Sequence, residues 1–170
     1  SSGNVTYNRN LGTENWYLVS SPVAGETYDD AYVAANSLAI SGTNNAISTY
    51  VSASNSWSYM QTADAAANFN AGQGYSVRLA DGQSTGDISF TGTINTESVE
   101  TSSLSVGYHL LGNPFTSYVN SATFLGAATS SNLDQSQIWL WNQDSGTSGM
   151  YEVKILGDAW VLAPGQGFFV

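Results

Sequence analysis

Five tryptophans and ten tyrosines in a chain with only 9% charged residues are the side chains best suited to do chemistry, and that chemistry is contact rather than catalysis. An aromatic ring offers a flat apolar face that fits the C–H face of a sugar as readily as it fits another large flat surface. Four rings stand out. Trp57 and Tyr59 alternate with Ser56 and Ser58, so they share one face of a strand. Trp139 lies in a second aromatic run, and Trp160 lies in a loop beside Asp158. Asn, Gln and Asp around such rings can donate to and accept from hydroxyls. The competing reading for each ring is an aromatic at the rim of the core.

The titratable groups point to less. Asp29 and Asp30, with Glu26 nearby, are hard oxygen donors suited to Ca²⁺, as are Asp81 and Asp87, but neither group has EF-hand spacing. Their alternatives are a helix first turn and a hairpin turn. The lone histidine, His109, has no recognisable Ser/Asp motif around it, so a structural role is the better reading. A hydrolase would require two carboxylates roughly 5–9.5 Å apart across a cleft, and no acid ends an aromatic strand in both parts of the chain. The chain has no cysteine, which removes disulfides, thiolate metal sites and cysteine nucleophiles. Gly72-Gln-Gly74 and Gly165-Gln-Gly167 each open a strand and have no lysine beside them. They read as tight turns with positive φ, not phosphate loops, with Gln73 and Gln166 satisfying backbone groups. No enzyme activity is expected.

The elements that carry these residues occur twice. Trp16-Tyr-Leu-Val-Ser-Ser-Pro-Val23 matches Tyr108-His-Leu-Leu-Gly-Asn-Pro-Phe115, with the prolines 92 positions apart. Ala71-Gly-Gln-Gly-Tyr-Ser-Val77 matches Pro164-Gly-Gln-Gly-Phe-Phe-Val170 at an offset of 93. Two anchors agreeing to within one residue establish a tandem duplication, with repeats of approximately 4–95 and 96–170 in one compact domain, 1–170. Each repeat has a short apolar strand, a helix, an aromatic hairpin and the Gly-Gln-Gly strand. The helices are expected over 27–39 and, shorter, over 120–128. The hairpins are 47–51 with 56–60 and 137–141 with 150–155. Further strands are expected at 4–9, 87–94 and 98–104, with the N-terminal one pairing with the last strand of the chain. The class is mainly β: a β-sandwich of two tandem pseudo-symmetric halves, each with one short helix.

Composition limits the partners. Thirteen acidic against three basic residues give a net charge of −10, a surface that repels nucleic acid and anionic membranes. No apolar run approaches the 18 or so residues of a membrane span. The low-lysine, Ser/Thr/Asn-rich surface suits a secreted or cell-surface protein, and the Ser1-Ser2-Gly3 start says nothing about a leader in a longer parent.

The two anchors resemble the "G-W-N-L-v-G-N-P-Y-p-S" and "i-A-P-G-Q-G-F-F-V" elements of modules in secreted multidomain proteins of Bacteroidetes. Ala163 to Val170 and Phe90-Thr-Gly-Thr-Ile-Asn95 carry the likeness most closely, and the first repeat departs from it at Ser20-Ser21. The resemblance implies export, often by the type IX route, as an appendage of enzymes or adhesins, and no catalytic residue. Together with the aromatics it leads to a non-catalytic carbohydrate-binding module, monomeric, whose partners are polysaccharide and neighbouring domains. Trp57, Tyr59, Trp139 and Trp160 are the stacking residues, and no cofactor is needed beyond a Ca²⁺ that Asp29 and Asp30 could hold. The alternative is a structural spacer, protein-interaction or adhesin module that binds no glycan and buries those rings.

Overall fold

What is duplicated is a sheet. The computed structural model describes residues 3–101, 104–129, 133–146 and 149–170, and its architecture is mainly β and sandwich-like. In the first half, strands Tyr17–Val19, Tyr75–Val77, Asn44–Val51 and Ser56–Gln61 lie side by side, all antiparallel, with Ile40–Ser41 pairing with the start of Asn44–Val51. The second half repeats the order with Leu110–Gly112, Gly167–Phe169, Gln137–Asn142 and Met150–Ile155. Each half adds one two-residue ladder, Thr27–Tyr28 with Ala67–Asn68 and Val119–Asn120 with Val161–Leu162.

Register sorts the side chains onto two faces of each sheet. On the first sheet Tyr17, Val19, Ile47, Tyr75 and Val77 point into one core, joined there by Tyr32 and Val33 of the Asp30–Ala35 helix and by Ile88 and Phe90. On the second, Leu111, Ile138, Leu140 and Phe168 meet Leu125 of the Ser121–Thr129 helix. The opposite faces meet each other, and Leu18, Leu110 and Phe169 are buried there among Tyr50, Trp57, Trp139 and Trp141. Strands covered on both faces read as continuous apolar runs, which is the pattern of Trp16 to Val19.

The halves are bonded across a pseudo-twofold axis by their Gly-Gln-Gly turns. Ser20 N–H donates to the Gly165 carbonyl at 2.8 Å, and its equivalent Gly112 N–H donates to the Gly72 carbonyl at 3.0 Å. Val19 bridges Gln166 and Leu111 bridges Gln73 in the same crossed manner. Gly72 and Gly165 take φ of +77° and +64°, which a glycine adopts without a Cβ clash. Ser20 and Gly112 face each other at the axis: a Cβ on Gly112 would lie 2.2 Å from that of Ser20. There is room for one side chain, and Ser20 uses it to donate to the Asn113 carbonyl at 2.9 Å. One position on, Ser21 and Asn113 have the same task, each accepting from the backbone N–H two residues ahead.

Four expectations need correcting. The N-terminal strand, Val5–Leu11, pairs with Gly86–Ile94 and not with the last strand, because Gly167–Phe169 is already flanked on both sides. It reaches the end of the chain through side chains instead: Arg9 donates to the Gly165 carbonyl at 2.5 Å and Tyr7 to the Pro164 carbonyl at 3.1 Å. The first helix spans only Asp30–Ala35, since Thr27–Tyr28 pairs as a strand, Asp29 caps, and Asn36 ends it. The second helix, Ser121–Thr129, is the longer of the two. Residues 98–101 and 104 form no strand, and 102–103 lie outside the described residues. Among the described residues no helix is long and apolar enough to cross a membrane.

The axis and the core each yield a prediction. Gly112→Ser should destabilise the protein by about 1–3 kcal/mol through overpacking, and the added change Ser20→Gly should restore most of it, as read by thermal melts of the single and double variants. In the core, burial lifts the hydroxyls of Tyr32 and Tyr75 well above the ordinary tyrosine range. Both donate to backbone carbonyls, Ser89 at 2.9 Å and Asn68 at 3.2 Å. The unfolded chain ionises these phenols near pH 10 or so while the fold keeps them protonated. Their stabilising contribution is therefore complete below about pH 10 and lost as pH rises further. Ultraviolet titration should show them ionising only together with alkaline unfolding followed by circular dichroism.

Candidate functional site

The aromatic layer between the two sheets is not closed at one end. There it opens into a cleft of about 290 Å³ lined by Tyr50, Trp57, Tyr108, Trp139, Tyr151 and Phe169. Register explains why these six converge. Tyr50 pairs with Trp57 across the first hairpin, Trp139 pairs with Phe169, and Tyr151 pairs with Trp141 across the second hairpin. All project from the inter-sheet faces. Phe169 is the buried floor, at 6% exposure, whereas Tyr108 and Tyr151 are exposed at 55% and 43%. Trp57 and Trp139 are half-buried.

The rings hold one another edge to face. Tyr50 and Trp57 have centroids 5.4 Å apart, Tyr50 and Phe169 4.9 Å, and Tyr108 and Trp139 5.3 Å, all within the range where such pairs add stability beyond area burial. Polar contacts fix the rim. The Tyr50 hydroxyl donates to Asn55 in the hairpin turn. Ser52, in the same turn, donates to the Tyr108 carbonyl and lies 3.0 Å from His109 Nδ1, while His109 Nε2 is 2.8 Å from the Ser105 carbonyl. The first hairpin is thus pinned to the wall of the cleft supplied by the second half. The second imidazole nitrogen of His109 is spent on a carbonyl, not on the carboxylate that orients a catalytic histidine. Trp139 and Tyr108 also wall a neighbouring hollow where Asp134, Gln135 and His109 supply hydrogen-bonding groups.

The four stacking residues expected from sequence separate into two that share the cleft and two that do not. Trp57 and Trp139 come together there, from different halves. Tyr59 shares the face of Trp57 but packs on Trp16, with centroids 6.0 Å apart, at the other end of the inter-sheet layer, where Trp141 donates to the Trp16 carbonyl at 2.8 Å. Trp160 lies on the opposite face of the second sheet. Lys154, which alternates with the inter-sheet residues Tyr151 and Val153, covers its ring at 4.0 Å while pairing with Glu152 at 3.1 Å. Tyr50, Tyr108, Tyr151 and Phe169 were missed. Tyr50 and Tyr108 occupy positions that are aromatic in both repeats, matching Trp141 and Trp16, a pattern that by itself points to core. The duplication itself holds a usable signal for Phe169: at the offset of 93 it falls on Ser76, as Trp139, at an offset of 91, falls on Ser48.

The carboxylates considered for Ca²⁺ have structural partners. Asp29 accepts from Tyr32 N–H as the helix cap, and Asp30 accepts from Asn45 Nδ2 and Ala63 N–H, each at 2.9 Å. Asp81 pairs with Arg78 at 2.6 Å, and Asp87 accepts from Asn10 at 2.8 Å. Among the described residues no three His, Asp or Glu side chains gather as a metal site. No family model, curated protein or solved structure matches this chain.

Half-burial of the cleft tryptophans sets an expectation for stability. Trp57→Ala and Trp139→Ala should each cost less than Phe90→Ala, where a fully buried ring implies about 3–5 kcal/mol. Chemical denaturation of the three variants provides the comparison; an equal loss in all three would make the cleft rings core residues like any other.

Proposed function

We propose that this chain is a non-catalytic carbohydrate-binding module of an exported multidomain protein, and that the inter-sheet cleft is its binding site. One observation carries the reading: six aromatic rings from both halves converge on one partly open cleft that, among the described residues, no charged side chain lines. Sugar recognition needs apolar ring faces with hydrogen-bonding groups at their margin. Here the margin is Asn55, Ser52 and the Gln135 side of the neighbouring hollow. Stacking is assigned to Trp57 and Trp139, with Tyr50, Tyr108 and Tyr151 as further walls. Tyr59 and Trp160 are left out because neither lines this cleft: Tyr59 packs edge to face with Trp16, and Trp160 lies under Lys154. The resemblance to exported Bacteroidetes modules supports a place outside the cell, beside other domains.

A spacer or protein-contact module is the second reading, and it too has an observation in its favour. Tyr50, Trp57 and Trp139 pack against Leu18, Leu110 and Phe169, so inter-sheet packing accounts for part of their surface. Affinity electrophoresis of the whole chain in gels containing neutral and sulfated polysaccharides, with and without EDTA, separates the two. The carbohydrate reading expects retardation by at least one polysaccharide, unaffected by EDTA and abolished in Trp139→Ala. Unretarded migration in every gel would favour the spacer.

A further inference from the structure

The angles between the cleft rings determine the shape of ligand they fit. Tyr50 and Trp57 stand at 72°, Tyr50 and Phe169 at 87°, and Trp57 and Phe169 at 79°. Those three planes are close to mutually perpendicular, like the inner corner of a box. Tyr151 meets Phe169 at 78° and Tyr108 meets Trp139 at 85°. Gripping the flat face of a crystalline polysaccharide requires the opposite arrangement, with several ring faces in one plane so that successive sugars stack on them together. A corner instead presents one face and several edges to a single small body. The volume of about 290 Å³ is just under the roughly 300–1,000 Å³ range of ligand pockets, room for about one or two sugar rings.

Charge narrows the class further. The chain's three cations are committed elsewhere: Arg9 to the Gly165 carbonyl, Arg78 to Asp81, and Lys154 to Glu152 and Trp160. A sulfate or uronate in the cleft would lose its hydration against ring faces that are themselves electron-rich, inside a protein of net charge −10, with no cation to compensate. We infer that the cleft takes one or two units of a soluble, uncharged glycan and excludes both crystalline polysaccharide faces and acidic glycans. This rests on the carbohydrate reading above and specifies its ligand.

Tryptophan fluorescence of the whole chain tests it, titrated with neutral disaccharides and hexasaccharides of the cello, manno, xylo and β-1,3-gluco series and with alginate and carrageenan oligosaccharides. Sedimentation with crystalline cellulose and chitin runs alongside. One neutral series should change the emission, its hexasaccharide binding within about threefold of its disaccharide. Trp57→Phe and Trp139→Ala, each checked for a cooperative melt, should weaken binding, Trp139→Ala by about tenfold or more. Acidic oligosaccharides should give no response and the particles should retain nothing. A gain of about tenfold or more from disaccharide to hexasaccharide, retention on crystalline particles, preference for acidic sugars, or neutral binding that survives both substitutions would overturn the inference while leaving carbohydrate binding standing. Silence from every saccharide, dissolved and particulate, would overturn both.

Discussion

The crossed backbone hydrogen bonds at the pseudo-twofold axis are the constraint on which everything else depends. Ser20 to Gly165 and Gly112 to Gly72 tie the first strand of each half to the Gly-Gln-Gly turn of the other. Buried backbone groups must be paired, and these find their partners only across the axis, so neither half satisfies its own edge. The close approach explains why the turns are glycine twice over. A Cβ on Gly74 would lie 2.5 Å from the Leu111 carbonyl oxygen, and one on Gly167 would lie 2.9 Å from the backbone of Leu18 and Val19. Arg9 adds a second donor to the Gly165 carbonyl and ties the N-terminal strand to the same junction.

Holding the halves so closely brings two aromatic sheet faces together, and the cleft is a consequence of their unequal filling. The second sheet contributes Phe169 and Trp139 where the first has Ser76 and Ser48. Large groups from one side packed over small groups from the other fill the centre of the layer, as in any well-packed core. Toward the hairpin ends the sheets offer rings from both sides, Tyr50 and Trp57 against Tyr108, Trp139 and Tyr151, and the layer stays open.

Local elements were legible in the sequence and relations between distant ones were not. Period-two alternation located Val5–Leu11, both hairpins appeared where turn residues bound aromatic runs, and the duplication anticipated the equivalent sheets. The helix at 27–39 was overread because Thr27 and Tyr28 are paired by Ala67 and Asn68, a contact forty residues away that no local pattern encodes. The N-terminal strand was assigned to the wrong partner for the same reason: an edge is free or occupied only in three dimensions. Of the four rings that type and spacing single out, Trp57 and Trp139 line one cleft. Trp160 lies apart from them with Lys154 over its ring, a contact that no local pattern in the sequence encodes. Gln166 bonds a backbone N–H as expected, that of Ala163, whereas Gln73 turns to the side chain of Asn70.

The contact of Ser20 with Gly112 also bears on how such a chain could arise. A symmetric dimer of two half-length copies would carry one residue type on both sides of the axis, and with a Cβ separation of 2.2 Å that residue could only be glycine. Joining the copies into a single polypeptide removes the identity requirement. One side may then acquire a hydroxymethyl group and a new hydrogen bond while the other stays bare. The same freedom permits tryptophan and phenylalanine in one half where the other has serines. Fusion thus lets the interface become asymmetric, and two halves that need not be identical need not fill the layer between them evenly.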